Sequence, residues 1–195
     1  MPKKIILASQ SPRRQELLKQ LGLTFEVCSA NIDEHFSEDL PIEKVAEFLA
    51  KQKAEVVAGQ HPQGLIIAAD TVVILDKKIL GKPSDLKEAR EMLESLSGKK
   101  HQVISGVCVL DAEQCFSFSS VTQVEFIELE AAQIEYYINH FEVLDKAGAY
   151  AIQEWIGMVG IRKIEGDFYN VMGLPLVNLN QVLSQEFGKS VLTSR

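Results

Sequence analysis

Apolar positions along the chain switch between a two-residue and a 3.6-residue period, and the switches mark out its elements. The apolar run at 4–9 predicts a strand, and residues 24–29 alternate as a second. Between them Leu17, Leu18 and Leu21 recur at helical spacing before Gly22, with Ser11 as N-cap and Pro12 as the first helical residue. PIEKVAEFLAKQKAEVVAGQ predicts an amphipathic helix, and GLIIAADTVVILDKKIL a buried strand with a turn at 76–78. SDLKEAREMLESLSG reads as a helix capped by Ser84 and stopped at Gly98. HQVISGVCVL and SFSSVTQVEFIEL are strands joined by a polar hairpin connection at 111–114, and EAAQIEYYINHF is a short helix. DKAGAYAIQEWIG carries too many small residues to assign, whereas MVGIRKIEG reads as extended. LPLVNLNQVLSQEFG is a last helix between Pro175 and Gly188, and 189–195 form a frayed tail. Without repeats or linkers, residues 1–188 read as one continuous α/β domain with a mixed sheet and room for two lobes.

Composition narrows the function classes. The 195 residues are 46% hydrophobic and 24% charged, an ordinary globular balance. A net charge of −7 argues against a general nucleic-acid surface, so any anion recognition has to be local. Cys28, Cys108 and Cys115 stand at no metal-ligand spacing and read as small buried or half-buried thiols. The basic N-terminus lacks a signal-length apolar stretch and no run approaches membrane length, which reads as a cytoplasmic chain.

Four places break the local pattern without local compensation. Arg13 and Arg14 lie in the first turn of a helix, where the macrodipole opposes cations. A polyphosphate at that turn would neutralise the conflict; alternatively both side chains bend away to surface carboxylates. Lys53 falls within an arc otherwise made by Val45, Phe48, Leu49, Val56 and Val57, and either snorkels outward or reaches an anion. Asp70 interrupts LIIAADTVVIL, where a carboxylate is costly unless paired, hydrogen-bonded or metal-bound. It reads as a metal-linked group or a general base, or as a residue satisfying backbone donors at a bulge. In ILGKP, Gly81 and Pro83 bracket Lys82. Four cations around one acidic residue suit a polyphosphate and a divalent metal better than a sugar or a peptide.

Other constellations point to less. His35, His61, His101 and His140 show no zinc-type spacing, and no serine or cysteine has a nucleophile elbow. Phe116, Phe118 and Phe126 read as packing, and Trp155 as a buried side chain.

LASQSPRRQELL, AADTVVILDKKILGKP, LSGKKHQVISGV, DKAGAYAIQ and IEGDFYNVMGLP, in this order, closely resemble the motifs of the Maf family of nucleoside triphosphate pyrophosphatases. The resemblance implies an α/β Maf fold, akin to that of inosine triphosphate pyrophosphatases, with a mixed twisted sheet flanked by helices and two lobes around a cleft. It implies a homodimer and hydrolysis between the α and β phosphates, dependent on Mg²⁺ or Mn²⁺. Asp70 matches the family's catalytic proton acceptor, while Ser9, Arg13, Arg14, Lys53 and Lys82 match its phosphate-binding positions. Glu34 matches an acidic position near the site, a second metal ligand beside Asp70. Arg13, Thr71 and Gln153 match the three positions that mark the branch acting on dTTP and UTP. The Gln153 amide also suits the O4 and N3–H edge shared by thymine and uracil. Rival readings are the same reaction on modified or noncanonical nucleotides, and a non-catalytic nucleotide sensor regulating cell division. Two residues depart from the family pattern, Ser105 in place of threonine and Ala151 in place of glycine. An alanine in a glycine-type conformation would alter the backbone that aims Gln153.

Overall fold

The computed structural model describes residues 3–30, 32, 35–37 and 39–188. Glu34 and the tail at 189–195 lie outside the described residues. Seven strands form one mixed sheet: β1 (Ile5–Leu7), β2 (Phe25–Val27), β3 (Leu65–Leu75), β4 (Lys78–Leu80), β5 (Lys100–Leu110), β6 (Cys115–Phe126) and β7 (Ile161–Glu165). Their order is β2-β1-β3-β5-β6-β7, with β4 paired to β3. β1 runs parallel to β2 and β3, whereas β4 and β7 are antiparallel to β3 and β6. The helices are α1 (Pro12–Gln20), α2 (Val45–Gln60), α3 (Leu86–Leu96), α4 (Ala131–His140), α5 (Trp155–Gly160), α6 (Phe168–Met172) and α7 (Leu176–Gln185). Among the described residues no helix is long and apolar enough to cross a membrane.

The chain divides into two compact units, and β3, β5 and β6 contribute residues to both. Unit 1 comprises Met1–Asp70, Ser105–Ser120 and Gly173–Arg195; unit 2 comprises Thr71–Ile104 and Val121–Met172. In unit 1 the small side chains of Ala50 and Ala54 pack with Val57 of α2 against Ile6, Ala8, Ile66, Ala68 and Cys108. Unit 2 has a larger core, in which Val73, Leu93, Val103, Phe126, Tyr137 and Ile156 meet.

Most local signals act as read. Ser11 caps α1 by accepting from the Arg14 N–H, and Pro12 is its first residue. The turn after β3 holds Asp76 at φ +49° and Lys77 at +62°, a left-handed pair suited to a tight hairpin. Asp111 accepts from the Glu113 and Gln114 N–H groups and so shapes the β5–β6 connection.

Other expectations are corrected. The cap of α3 is Asp85, which accepts from the Glu88 N–H at 2.8 Å; Ser84 lies one residue earlier and donates to the Glu88 carboxylate. In α2, Phe48 and Val56 are exposed, and Ala46, Ala50 and Ala54 occupy the buried face. The reason is close approach: a Cβ on Gly106 of β5 would lie 2.1 Å from the Glu47 nitrogen, leaving room there for small side chains alone. MVG belongs to α5, and strand β7 starts only at Ile161. Phe116 is exposed, Trp155 is half-buried against Tyr136, and Cys115 is an exposed thiol 3.6 Å from buried Cys108.

Candidate active site

Parallel strands end where helix starts and loops gather, so their carboxyl ends are the usual place for a ligand in α/β folds. In unit 1, Leu7 of β1 pairs with Ile67 of β3, and the Ala8 N–H still bonds the Ile67 carbonyl. Beyond that bond the chain leaves β1 for the loop carrying Ser9, while β3 continues through Asp70.

Ser9 organises the loop. Its hydroxyl accepts from the Ser11 N–H at 3.2 Å and from Arg14 Nη1 at 3.2 Å. Arg14 also donates through Nε to the Gly173 carbonyl at 2.9 Å. These two neutral oxygens tie the guanidinium to the start of α1. The first turn of α1 contains no acidic residue, so its positive end stays uncompensated from within the helix. Arg13 is half-buried in the same turn.

Lys53 and Asp70 meet. Lys53 is buried on α2, and its Nζ lies 2.6 Å from Asp70 Oδ1, with the side chains 11% and 13% exposed. Groups of opposite charge type so withdrawn from water offset each other's desolvation cost. The projection of α2 onto its apolar face therefore leads to an ion pair, and the pairing settles the snorkelling alternative against it. Asp70 lies within the continuous strand β3.

Thr71, Lys82 and Gln153 belong to unit 2. Thr71 follows in β3 and is half-buried; Lys82 is exposed after β4. A Cβ on Gly81 would meet nothing within 4 Å, so no steric demand for glycine operates beside Lys82. Gln153 is the third residue of a turn closed by the Glu154 N–H on the Ala151 carbonyl at 3.1 Å. Its Oε1 is buried and has no hydrogen-bond partner among the described residues. Ala151 is buried and is not among the residues of positive φ, so the alanine sits there without backbone strain. The left-handed non-glycine residue of this segment is Ala149, at φ +61°.

Elsewhere, burial pulls His101 down to about 4 and raises the Tyr150 hydroxyl, whose oxygen lies 2.7 Å from His101 Nε2. Among the described residues no three His, Cys, Asp or Glu side chains gather as a metal centre. Two partners escaped sequence reasoning. A backbone carbonyl such as that of Gly173 leaves no side-chain signature, and Tyr137 reads only as one more apolar position of α4.

Within one compact unit, a helix start bearing two arginines and a buried Lys53–Asp70 pair stand with parallel strands of a mixed α/β sheet, an arrangement suited to binding phosphate. The family model described as Maf-like protein matches residues 4–186, and the chain belongs to that family. It is 49% identical to a dTTP/UTP pyrophosphatase of Phocaeicola vulgatus over 178 residues, 90% of this chain and 92% of the relative. Identity with a dTTP/UTP pyrophosphatase of Thermosipho africanus is 51% over 180 residues, 92% of each chain. Among solved structures, the Staphylococcus aureus Ham1 protein superposes with a TM-score of 0.55 at 16% identity, covering 96% of this chain and 100% of that one. That likeness shows the shared fold.

Proposed function

We infer that this chain hydrolyses dTTP and UTP between the α and β phosphates, giving the nucleoside monophosphate and pyrophosphate. The reading rests on family membership and on relatives of nearly the same length that are named dTTP/UTP pyrophosphatases. The structural observation that carries it to particular residues is the buried Lys53–Asp70 pair, in the same compact unit as the arginine-bearing start of α1.

Arg13, Arg14, Lys53 and Lys82 bind the triphosphate, and Ser9 fixes the Arg14 guanidinium. Asp70 presents a carboxylate whose Oδ1 is held by Lys53, and it takes the proton of the attacking water. Lys53 and Lys82 offset the charge growing on the departing pyrophosphate. Carboxylate oxygens are the donors that a hard divalent cation takes. Asp70 would hold such a Mg²⁺ or Mn²⁺ ion, with Glu34 as a second donor, and the chemistry supplied there would be polarisation of the α-phosphate. Gln153 reads the base: its unpartnered Oε1 accepts from N3–H while its amide nitrogen donates to O4. Arg13 and Thr71 complete the selectivity positions. The homodimer implied by the family resemblance is this chain's proposed assembly, read in sedimentation as twice 21.7 kDa.

The test is pyrophosphate release from dTTP, UTP, CTP, GTP, ATP and 7-methyl-GTP with Mg²⁺ or Mn²⁺, comparing wild type with Asp70→Asn. Release mainly from dTTP and UTP, lost in the variant with its fold intact, is the expected result. Near-normal turnover by Asp70→Asn removes its role. Release spread over other bases retains the reaction and overturns the selectivity.

A further inference from the structure

We propose that Tyr137 is a positioning residue for Gln153, acting with Glu154 and Lys146 as a brace that sets base selectivity. The inference rests on the reading of Gln153 as the base contact.

The segment around Gln153 is short of regular structure, yet it is tied at both ends by one hydroxyl. Tyr137 is fully buried on α4. Its oxygen accepts from the Ala151 N–H at 3.1 Å, and its hydroxyl donates to Glu154 Oε2. Residues 151 and 154 are also the first and last of the turn in which Gln153 sits. Glu154 is held from its other oxygen: Lys146, with a side chain only 4% exposed, lies 3.4 Å from Oε1 and 2.8 Å from Asp145 Oδ1. Glycine completes the arrangement, because a Cβ on Gly157 would lie 1.8 Å from the Ile152 carbonyl oxygen. The Gln153 backbone is therefore fixed by hydrogen bonds and a close approach on both sides, while its own Oε1 makes none. A buried amide oxygen left unpaired is costly unless a ligand supplies the donor. Holding its backbone in advance is what lets the amide discriminate between bases.

A buried tyrosine packed in a core needs no hydroxyl. One that spans the two ends of the turn bearing the base-reading residue makes selectivity depend on that hydroxyl. The relevant measurement is steady-state hydrolysis of dTTP and CTP by wild type, Gln153→Ala, Tyr137→Phe, the double variant, Glu154→Ala and Glu154→Gln. Tyr137→Phe, which removes both hydrogen bonds of the hydroxyl, is expected to raise KM for dTTP roughly five- to tenfold. Its kcat should change by less than about twofold, since the phosphate-binding residues are untouched. The preference for dTTP over CTP should narrow, and adding Tyr137→Phe to Gln153→Ala should narrow it no further. Glu154→Gln, which keeps an acceptor for the Tyr137 hydroxyl, should retain most of the preference that Glu154→Ala loses.

Independent, multiplicative losses in the double variant overturn the proposal, because Tyr137 would then act without Gln153. If Tyr137→Phe does not fold, the Glu154 variants decide: equal preference in both overturns the brace. Unchanged preference in Gln153→Ala overturns the base reading and this inference with it. A loss in Gln153→Ala beside an unaffected, folded Tyr137→Phe overturns the brace alone.

Discussion

Lowering the pH from 7.5 to 5 is expected to destabilise the protein through His101. The side chain is 3% exposed, and it makes a single side-chain hydrogen bond, to Tyr150; its Nδ1 is buried with no partner among the described residues. An imidazolium has two N–H groups to satisfy and a charge to solvate, and this site provides for neither. Burial accordingly pulls His101 from 6.5 down to about 4. Between those values the unfolded chain binds a proton that the folded chain refuses. The stability is whole above pH 6.5, falls as the pH drops through the window, and levels off below about 4. Integrating between the two titrations gives a loss of about 2 kcal/mol at pH 5, approaching about 3 kcal/mol near pH 4. Urea unfolding of wild type and His101→Gln at the two pH values isolates this contribution, because glutamine keeps a hydrogen-bonding group for Tyr150 and does not titrate. With a urea slope on the order of 2 kcal/mol/M, the wild-type midpoint should fall about 1 M further than that of the variant. Equal shifts in the two proteins would show that His101 is solvated or paired as a cation and would refute the reasoning.

Three further outcomes are expected. Gly106→Ala places a Cβ about where the Glu47 nitrogen already lies and should cost on the order of 3 kcal/mol in chemical denaturation, the upper end for overpacking, with no relief from a rotamer change. Asp85→Ala should cost about 1 kcal/mol as the loss of an N-cap, and Ser84→Ala clearly less; the reverse order in thermal melts would restore Ser84 as the cap. Lys53→Met keeps the length of the side chain but strands Asp70, and should lower kcat/KM for dTTP by at least about 100-fold. Activity within a few-fold of wild type would remove the pair from the reaction.

Residues that break a pattern were legible, whereas the partners that complete them were not. Asp70 within an apolar strand and Lys53 on an apolar helix face announce themselves, and the cap at Ser11 follows from a serine before a proline. That Lys53 and Asp70 meet depends on how α2 crosses the sheet, a relation between elements that no local window contains. Arg14 is held by a carbonyl 159 positions away, and any residue there would offer the same group. The α2 face was misjudged because a hydrophobic projection weights Phe48 and Val56 above alanine, while a backbone-to-backbone approach at Gly106 rewards small size. Asp85 and Ser84 are both good caps, and only φ and ψ choose between neighbours. The concern over Ala151 arose from residue type, and the observed φ removes it.

At Gly106 the first turn of α2 rests on the main chain of β5 with nothing in between, and the amine that meets Asp70 lies two turns along on the same helix. Side-chain packing can yield by rotamer changes; two backbones in contact cannot. The span from that seat to the Lys53 backbone behaves as a fixed lever arm, so substitutions that loosen the surrounding apolar residues should soften the protein before they displace the point from which the lysine reaches Asp70.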